Sequence, residues 1–390
     1  MVSRGEQIIV ISNDVVPGLG VPVAAPGLRA FGLAEGLRDN GFEVKTLVVK
    51  SSVDKQWKSL GRNVPRPTAP HTEIVSSHQL GSYVESHAPA TVILINSNQV
   101  DHLRPVEGIK YILDFFAPKM LEMLYHKGKE YPEAALQDLR RRKLRAIEIA
   151  DAFIVNGEKK IPYFLGWLLQ GGKDVRHLPL EVVNMGVPLS PNEDFDEPSG
   201  APGEVRFLVA GYLQGWSQPG SWIRTLESQL DRPGVGLDLL LPNHWGSKSR
   251  PADGNDHLEW LKSHPAVSIH TPMTFSRFQR FLAGADVSID LFEHNLEREY
   301  AMVTRSIVAL ASGVPVIHPP FTEVSPMISE YDAGWTVEPN DTEKINGILD
   351  SIVREPELVK EKSSNARKLA ARLIEPANAV KPLVGILESS

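Results

Sequence analysis

Thr304, Arg305 and Ser306 stand side by side and combine two hydroxyls with a permanent positive charge. They open a helical stretch that closes at Gly313. Before them come an apolar run ending in Asp290 and a polar segment carrying Glu293, His294, Glu297 and Glu299. The first amides of a helix have no partner within it and lie at the positive end of its dipole, so this set suits a phosphate that an arginine can grip through two oxygens. The ordinary alternative is an N-cap threonine beside a solvated arginine. In the same half, FLVAGYLQGWSQPGSW (207–222) runs from a strand pattern into a loop with Gly211 and Gly215, where backbone amides can approach phosphate and Trp216 and Trp222 can offer apolar plates. A loop that only packs on its sheet reads equally well.

The first half has its own candidates. Gly18 and Gly20 follow the first apolar run and precede a helix ending near Gly41, which lets backbone approach an anionic or polyhydroxylated ligand closely. Their spacing is not GxGxxG, so a dinucleotide fingerprint is absent. Asp114 follows KYIL and precedes FFAP. A carboxylate there can hold sugar hydroxyls or offset the charge of an oxocarbenium-like transition state; as a structural cap it would do neither. Asn96, Ser97, Asn98 and Asn156 also end strands, and capping is the better reading of Asn156. Among the histidines, His126, His244, His294 and His318 are candidate contacts, with His294 the best placed. No His or carboxylate spacing resembles a metal cage, and the absence of cysteine removes thiolate nucleophiles, disulfides and Cys-ligated metals.

The elements that must position these residues alternate between short β-rich runs and helical patterns, the signature of parallel sheets covered by helices. Strands are expected at 7–12, 43–49, 91–96, 110–113 and 151–155, with helices such as 30–39 and 134–150 between them. The stretch LSPNEDFDEPSGAPGE (189–204) is rich in Pro, Gly and acid, as interdomain linkers are. Beyond it the alternation restarts, with strands expected at 205–210, 236–241, 267–269, 287–290, 314–317 and 335–337. The expected fold is therefore α/β, two Rossmann-like domains facing each other across a cleft that both sets of strand ends line. The chain divides into 1–190, 204–375 and a C-terminal segment, 376–390, that can return to the first domain.

A chain of 390 residues is long for one core. Its 41 Lys and Arg against 48 Asp and Glu give a formal net charge of −7, which offers no general attraction for nucleic acid. The leading apolar stretch is far too short for a signal peptide or a membrane span, so a cytoplasmic protein is expected. The one dense basic run is RRRKLR (140–145). It reads better as a solvated helix face paired with nearby acids than as a site for anionic lipid.

Several of these segments resemble the two-domain glycosyltransferases called GT-B, and within them the retaining enzymes related to family four. RSIVALASGVPVI (305–317) is similar to the donor-site helix and strand of that family, AGW (333–335) to the segment after it, GFEV (41–44) to its second strand, and ADAFIVN (150–156) to the end of its first domain. Aligned on Gly313, Tyr300 and Val308 stand where the family usually carries two glutamates, one for the sugar and one for the ribose. Glu297 or Glu299 can take the sugar contact from a shifted turn. The resemblance implies transfer of a sugar from a nucleotide-diphosphate donor to a hydroxyl of a saccharide or glycoconjugate, lipid-linked acceptors included. It implies retention, no metal and no cofactor, with the acceptor on the first domain and the donor on the second. Asp114, His294 and Glu297 are then the catalytic candidates. Gly18, Gly20, Gly211, Gly215, Trp216, Glu299, Thr304, Arg305 and Ser306 are the donor-binding ones. Membrane contact is at most peripheral, at the inner face. A sugar-nucleotide 2-epimerase of the same fold and a two-lobed sugar-binding protein are the competing readings. The first would alter a donor sugar alone and the second would bind without turnover.

Overall fold

The computed structural model describes residues 6–59, 69–125, 133–188, 204–212, 216–217, 219–241 and 256–389. The chain divides into two compact units: Met1–Leu124 with Gly128–Pro188 and Leu373–Ser390, and Tyr125–Lys127 with Leu189–Arg372. Each is built on one parallel sheet.

In the first unit the strands are β1 (Gln7–Ser12), β2 (Val44–Val49), β3 (Thr72–Val75), β4 (Ala90–Ile95), β5 (Ile109–Asp114), β6 (Ala152–Val155) and β7 (Leu180–Val182). They lie in the order β3-β2-β1-β4-β5-β6-β7. The central strand ATVILI is buried throughout because helices cover both faces of a parallel sheet, which is why it reads as a continuous apolar run and not as an alternation. Ile9, Ile11, Val92, Leu94, Leu113 and Phe153 form the middle of one core, closed by Phe164 from the helix Ile161–Gln170. The edge strands β3 (TEIV) and β7 (LEV) are additions to the expected set. They are short and partly polar, so they carry no apolar run to be recognised by. The last residues of the chain pack on this unit: the Val187 amide donates to the Ile374 carbonyl at 2.9 Å and the Asn40 carboxamide to that of Ala377 at 3.0 Å.

The second unit carries β8 (Val205–Ala210), β9 (Val235–Leu240), β10 (Val267–Ile269), β11 (Val287–Ile289), β12 (Val316–His318) and β13 (Gly334–Thr336), in the order β10-β9-β8-β11-β12-β13. Phe207, Leu237, Ile289 and Ile317 centre its core. Trp222 joins them, fully buried, with its indole N–H donated to the Leu291 carbonyl at 3.1 Å. It is a core residue and not the exposed plate expected of it. In each sheet the chain steps outward from a central strand and then returns to that strand's other side. This creates switch points between β1 and β4 and between β8 and β11, where open α/β sheets take their ligands.

Candidate functional site

The switch point of the second sheet is where the polar candidates gather. The β11–β12 register pairs Ile289 with Ile317, so the next residues, Asp290 and His318, are neighbours at the carboxyl ends of their strands. The helix Thr304–Ala311 begins beside them, and no side chain caps its first turn. Thr304 itself is not the cap, since that position falls to Val303. Arg305 turns back across the sheet, its Nε ion-paired with Asp290 Oδ1. Its chain lies over Gly211, whose φ is +133°. A Cβ there would stand 2.7 Å from both Cδ and Nη1 of Arg305, so only glycine leaves the arginine room. The Arg305 side chain is 19% exposed, which leaves the guanidinium partly open to a ligand.

A second arginine adjoins the first. Arg298 ion-pairs with Glu297 through Nε, both side chains buried, and its guanidinium sits 5.3 Å from the centre of the Phe292 ring. Arg305 sits 5.6 Å from that ring, so one phenyl group carries two cations. Glu297 is thus the counter-charge of Arg298 rather than a free carboxylate. Asn295 starts the short helix Leu296–Glu299: its Oδ1 accepts from the Arg298 amide at 3.1 Å, while its Nδ2 donates to the Trp216 carbonyl at 2.8 Å. His294 and Glu299 are the exposed members, tied to each other at 2.6 Å with His294 57% exposed. Gly215, His126 and His244 lie outside the described residues.

Beneath the arginine lies a hydroxyl–imidazole chain. Ser306 Oγ donates to Asp290 Oδ2 and meets His318 Nδ1 at 3.0 Å; His318 Nε2 meets Thr322 Oγ1 at 2.8 Å. His318 is fully buried, and burial pulls its imidazole down to about 4 against the pull of Asp290. Ser306 is therefore part of the support under Arg305. Arg298, Phe292 and this use of His318 were not legible beforehand, because they depend on which strand ends adjoin. Val308, one of the two family positions, is buried on the helix and offers nothing to a ribose.

The first-unit candidates are placed differently. Asp114 does not reach the surface. It is fully buried, with Oδ2 2.8 Å from Arg29 Nε, while Arg29 Nη1 donates to the carbonyls of Val183 and Asn184 at 2.9 and 2.5 Å. Burial raises the Asp114 carboxyl and Arg29 draws it back. The expected sugar-facing carboxylate is thus a tie between β5, the helix Ala25–Asp39 and the segment after β7. Asn156 is no helix cap: its Oδ1 receives the buried Lys160 ammonium, which also donates to the Phe116 carbonyl at 2.8 Å. Gly18 and Gly20 have φ of +92° and +73°, and a Cβ on Gly18 would stand 2.8 Å from that of Ala69, so packing alone accounts for that glycine.

The basic run is largely neutralised. Arg141 and Arg142 pair with Asp101 and Asp138, Arg145 with Glu148, and Lys143 is buried over the rings of Phe115, Phe164 and Trp167. Among the described residues no group of three or more His, Asp or Glu is arranged to hold a metal, and no helix is long and apolar enough to cross a membrane.

Comparison with solved structures gives matches over essentially the whole chain. Sucrose-phosphate synthase from Thermosynechococcus elongatus aligns with a TM-score of 0.67 at 16% identity, covering 98% of each chain. Anabaena HepE in complex with UDP aligns at 0.63 and 12% identity, over 99% of this chain and 100% of that one. An alpha-glucosyltransferase in complex with UDP-glucose and DNA containing an abasic site aligns at 0.66 and 10% identity, over 98% and 100%. The fold is GT-B, two Rossmann-like domains. No protein-family model matches the sequence, and no curated protein does.

Proposed function

We propose that this protein is a glycosyltransferase that moves a sugar from a nucleotide-diphosphate donor to a hydroxyl acceptor, with retention and without a metal or other cofactor. The observation that carries the reading is Arg305. A partly exposed guanidinium is ion-paired with a buried carboxylate at an uncapped helix start, over a glycine whose place a Cβ could not take without displacing it. Such a group neutralises leaving-group charge without reorganising, which is the largest single contribution an enzyme of this class needs. Thr304 and the first amides of the helix supply further donors, and the Gly211 backbone lies under the same ligand. UDP is the first nucleotide to try, since two of the aligned structures hold UDP or UDP-glucose. The acceptor is a saccharide or glycoconjugate, lipid-linked ones included. The location is cytoplasmic, with at most peripheral contact at the inner membrane face.

Calorimetric titration with UDP tests the reading directly. Arg305→Ala should weaken binding by about 1.5–3 kcal/mol, the value of a charge-assisted hydrogen bond. Unchanged affinity in a folded Arg305→Ala variant removes the assignment. With UDP-glucose and an acceptor panel, turnover should persist in EDTA. Loss of turnover restored only by a divalent ion would overturn the metal-free reading, and a changed donor sugar without acceptor would indicate an epimerase.

A further inference from the structure

The polar chain under Arg305 extends well beyond the residues that can touch a ligand. From the helix start it runs through Asp290, Ser306, His318, Thr322 and Ser325 to the carbonyl of Pro319. His318, Thr322 and Ser325 are buried, and each is joined to the next. With His318 neutral its protons have one arrangement, in which the Thr322 and Ser325 hydroxyls share no proton and the two residues are joined through the Thr322 amide. A carboxylate cannot donate, so the Ser306 hydroxyl proton goes to Asp290 Oδ2 and Ser306 must accept from His318 Nδ1–H. With the proton on Nδ1, Nε2 of the neutral imidazole is bare and accepts from Thr322 Oγ1. At the far end a carbonyl can only accept, so Ser325 donates to Pro319 O at 2.7 Å and in turn accepts the Thr322 amide at 2.9 Å. The Val324 amide adds a donor to Thr322 Oγ1 at 3.1 Å, which orients that hydroxyl towards the imidazole.

We propose that His318 is a positioning residue for the diphosphate site: its Nδ1–H fixes Ser306, Ser306 fixes Asp290 Oδ2, and Oδ1 of the same carboxylate then holds Arg305 in one aim. The proposal rests on the reading of Arg305 as the diphosphate contact. His318 lies behind Ser306 and Asp290 and acts only through them. If the Nδ1–H is lost, the Ser306 lone pair is left empty in a buried site and the hydroxyl is free to turn towards another acceptor. Asp290 then loses one of its two anchors. The carboxylate rotates, and Arg305 with it. The alternative, a histidine that merely fills space against Phe292, whose ring stands edge-on at 5.9 Å, makes no such link.

Two substitutions separate these roles, because they keep opposite ends of the imidazole. His318→Asn places an amide N–H near the Nδ1 position. His318→Gln places its amide near Nε2 and leaves Ser306 without a donor. Inorganic pyrophosphate is the probe, since it is independent of nucleotide and sugar. The Asn variant should bind pyrophosphate within about twofold of the parent, while the Gln variant loses about tenfold. In an Arg305→Ala background, His318→Gln should cost no further affinity, because the group it aims is already gone. Ser306→Ala cuts the chain at its near end and should match the Gln variant, which serves if Gln at 318 does not fold. Equal affinities for the Asn and Gln variants overturn the proposal, as does a tenfold loss that persists without Arg305. If Arg305→Ala alone leaves pyrophosphate binding unchanged, the diphosphate reading itself has failed, which is a different result.

Discussion

Two aspartates end parallel strands in this protein, each meets an arginine, and the two pairs do opposite things. Asp114 and Arg29 are both fully buried; Nη2 of the guanidinium returns to Asp114 Oδ1, and Nη1 reaches the backbone carbonyls after β7. Asp290 is buried as well, but Arg305 comes from the first turn of a helix and stays partly open. The first arrangement ties three segments into one core. The second keeps a cation paired but partly open, and its outer donors are those proposed to meet the diphosphate. A strand-ending Asp is therefore a neutral signal, and the origin of its partner decides between lock and tool.

The sharpest way to break that contrast is to remove the first carboxylate. Asp114→Ala leaves the Arg29 guanidinium buried without its counter-charge, which costs about 3–5 kcal/mol. Denaturant unfolding should show that loss in the first unit, while the folded fraction binds pyrophosphate normally. Replacing both partners with apolar residues, Asp114→Leu with Arg29→Met, should recover most of the stability. An Asp114→Ala variant that melts like the parent and loses turnover would reverse the assignment and return this carboxylate to the reaction.

The sequence made the architecture legible for physical reasons. Central parallel strands such as ATVILI and QIIVIS must be apolar on both faces, so their runs stand out, whereas the edge strands TEIV and LEV are only partly buried and do not. The Thr304–Ser306 helix start could be found because a turn chemistry and a charge coincide there. What could not be read was partnership across strands. Arg29 meets Asp114 over 85 residues of chain and His318 meets Ser306 only through the β11–β12 register, and neither contact leaves a local pattern. The same limit applies to Trp222 and Glu297, whose types suited a ligand but whose neighbours use them as core and counter-charge.

The polar chain under Arg305 also predicts an acid response that the Asp114 pair does not share. His318 is held near 4 when folded, against 6.5 when unfolded. Between those values the unfolded chain binds the extra proton, so stability is fully present above about 6.5 and is lost as pH falls towards 4. The slope is about 1.4 kcal/mol per pH unit, about 3 kcal/mol over the window. The charged groups acting on the imidazole are Asp290, which favours the proton, and Arg305 and Arg298, which oppose it. In the first unit Asp14 has the opposite sign: burial raises it to about 6, and its contribution disappears as pH rises through that value. Denaturant midpoints for the parent and His318→Asn at pH 7.5 and pH 5 isolate the effect. The second unit of the parent should weaken on acidification by more than that of the variant, and parallel behaviour would show that His318 titrates normally.

The smallest expected effect bears on how the open arginine is kept in place. Gly211→Ala meets two obstacles, a φ of +133° that an L side chain rarely adopts and a Cβ 2.7 Å from Arg305 Cδ and Nη1. The side-chain clash is relieved if Arg305 swings outward, which takes its Nε away from Asp290 because the clashing Cδ precedes the paired atom. Stability should therefore fall by only about 1–2 kcal/mol, in the range of local backbone strain, while pyrophosphate affinity falls about tenfold because the guanidinium no longer lies where Asp290 aims it. Gly41→Ala is the matched control: its φ is +88° with nothing within 4 Å of the added Cβ, so it carries backbone strain without a displaced arginine. Equal pyrophosphate affinity for the two variants would mean that the Arg305 position over Gly211 is incidental. A loss confined to Gly211→Ala shows that the glycine is there for the arginine, and that the open pair is held as deliberately as the buried one.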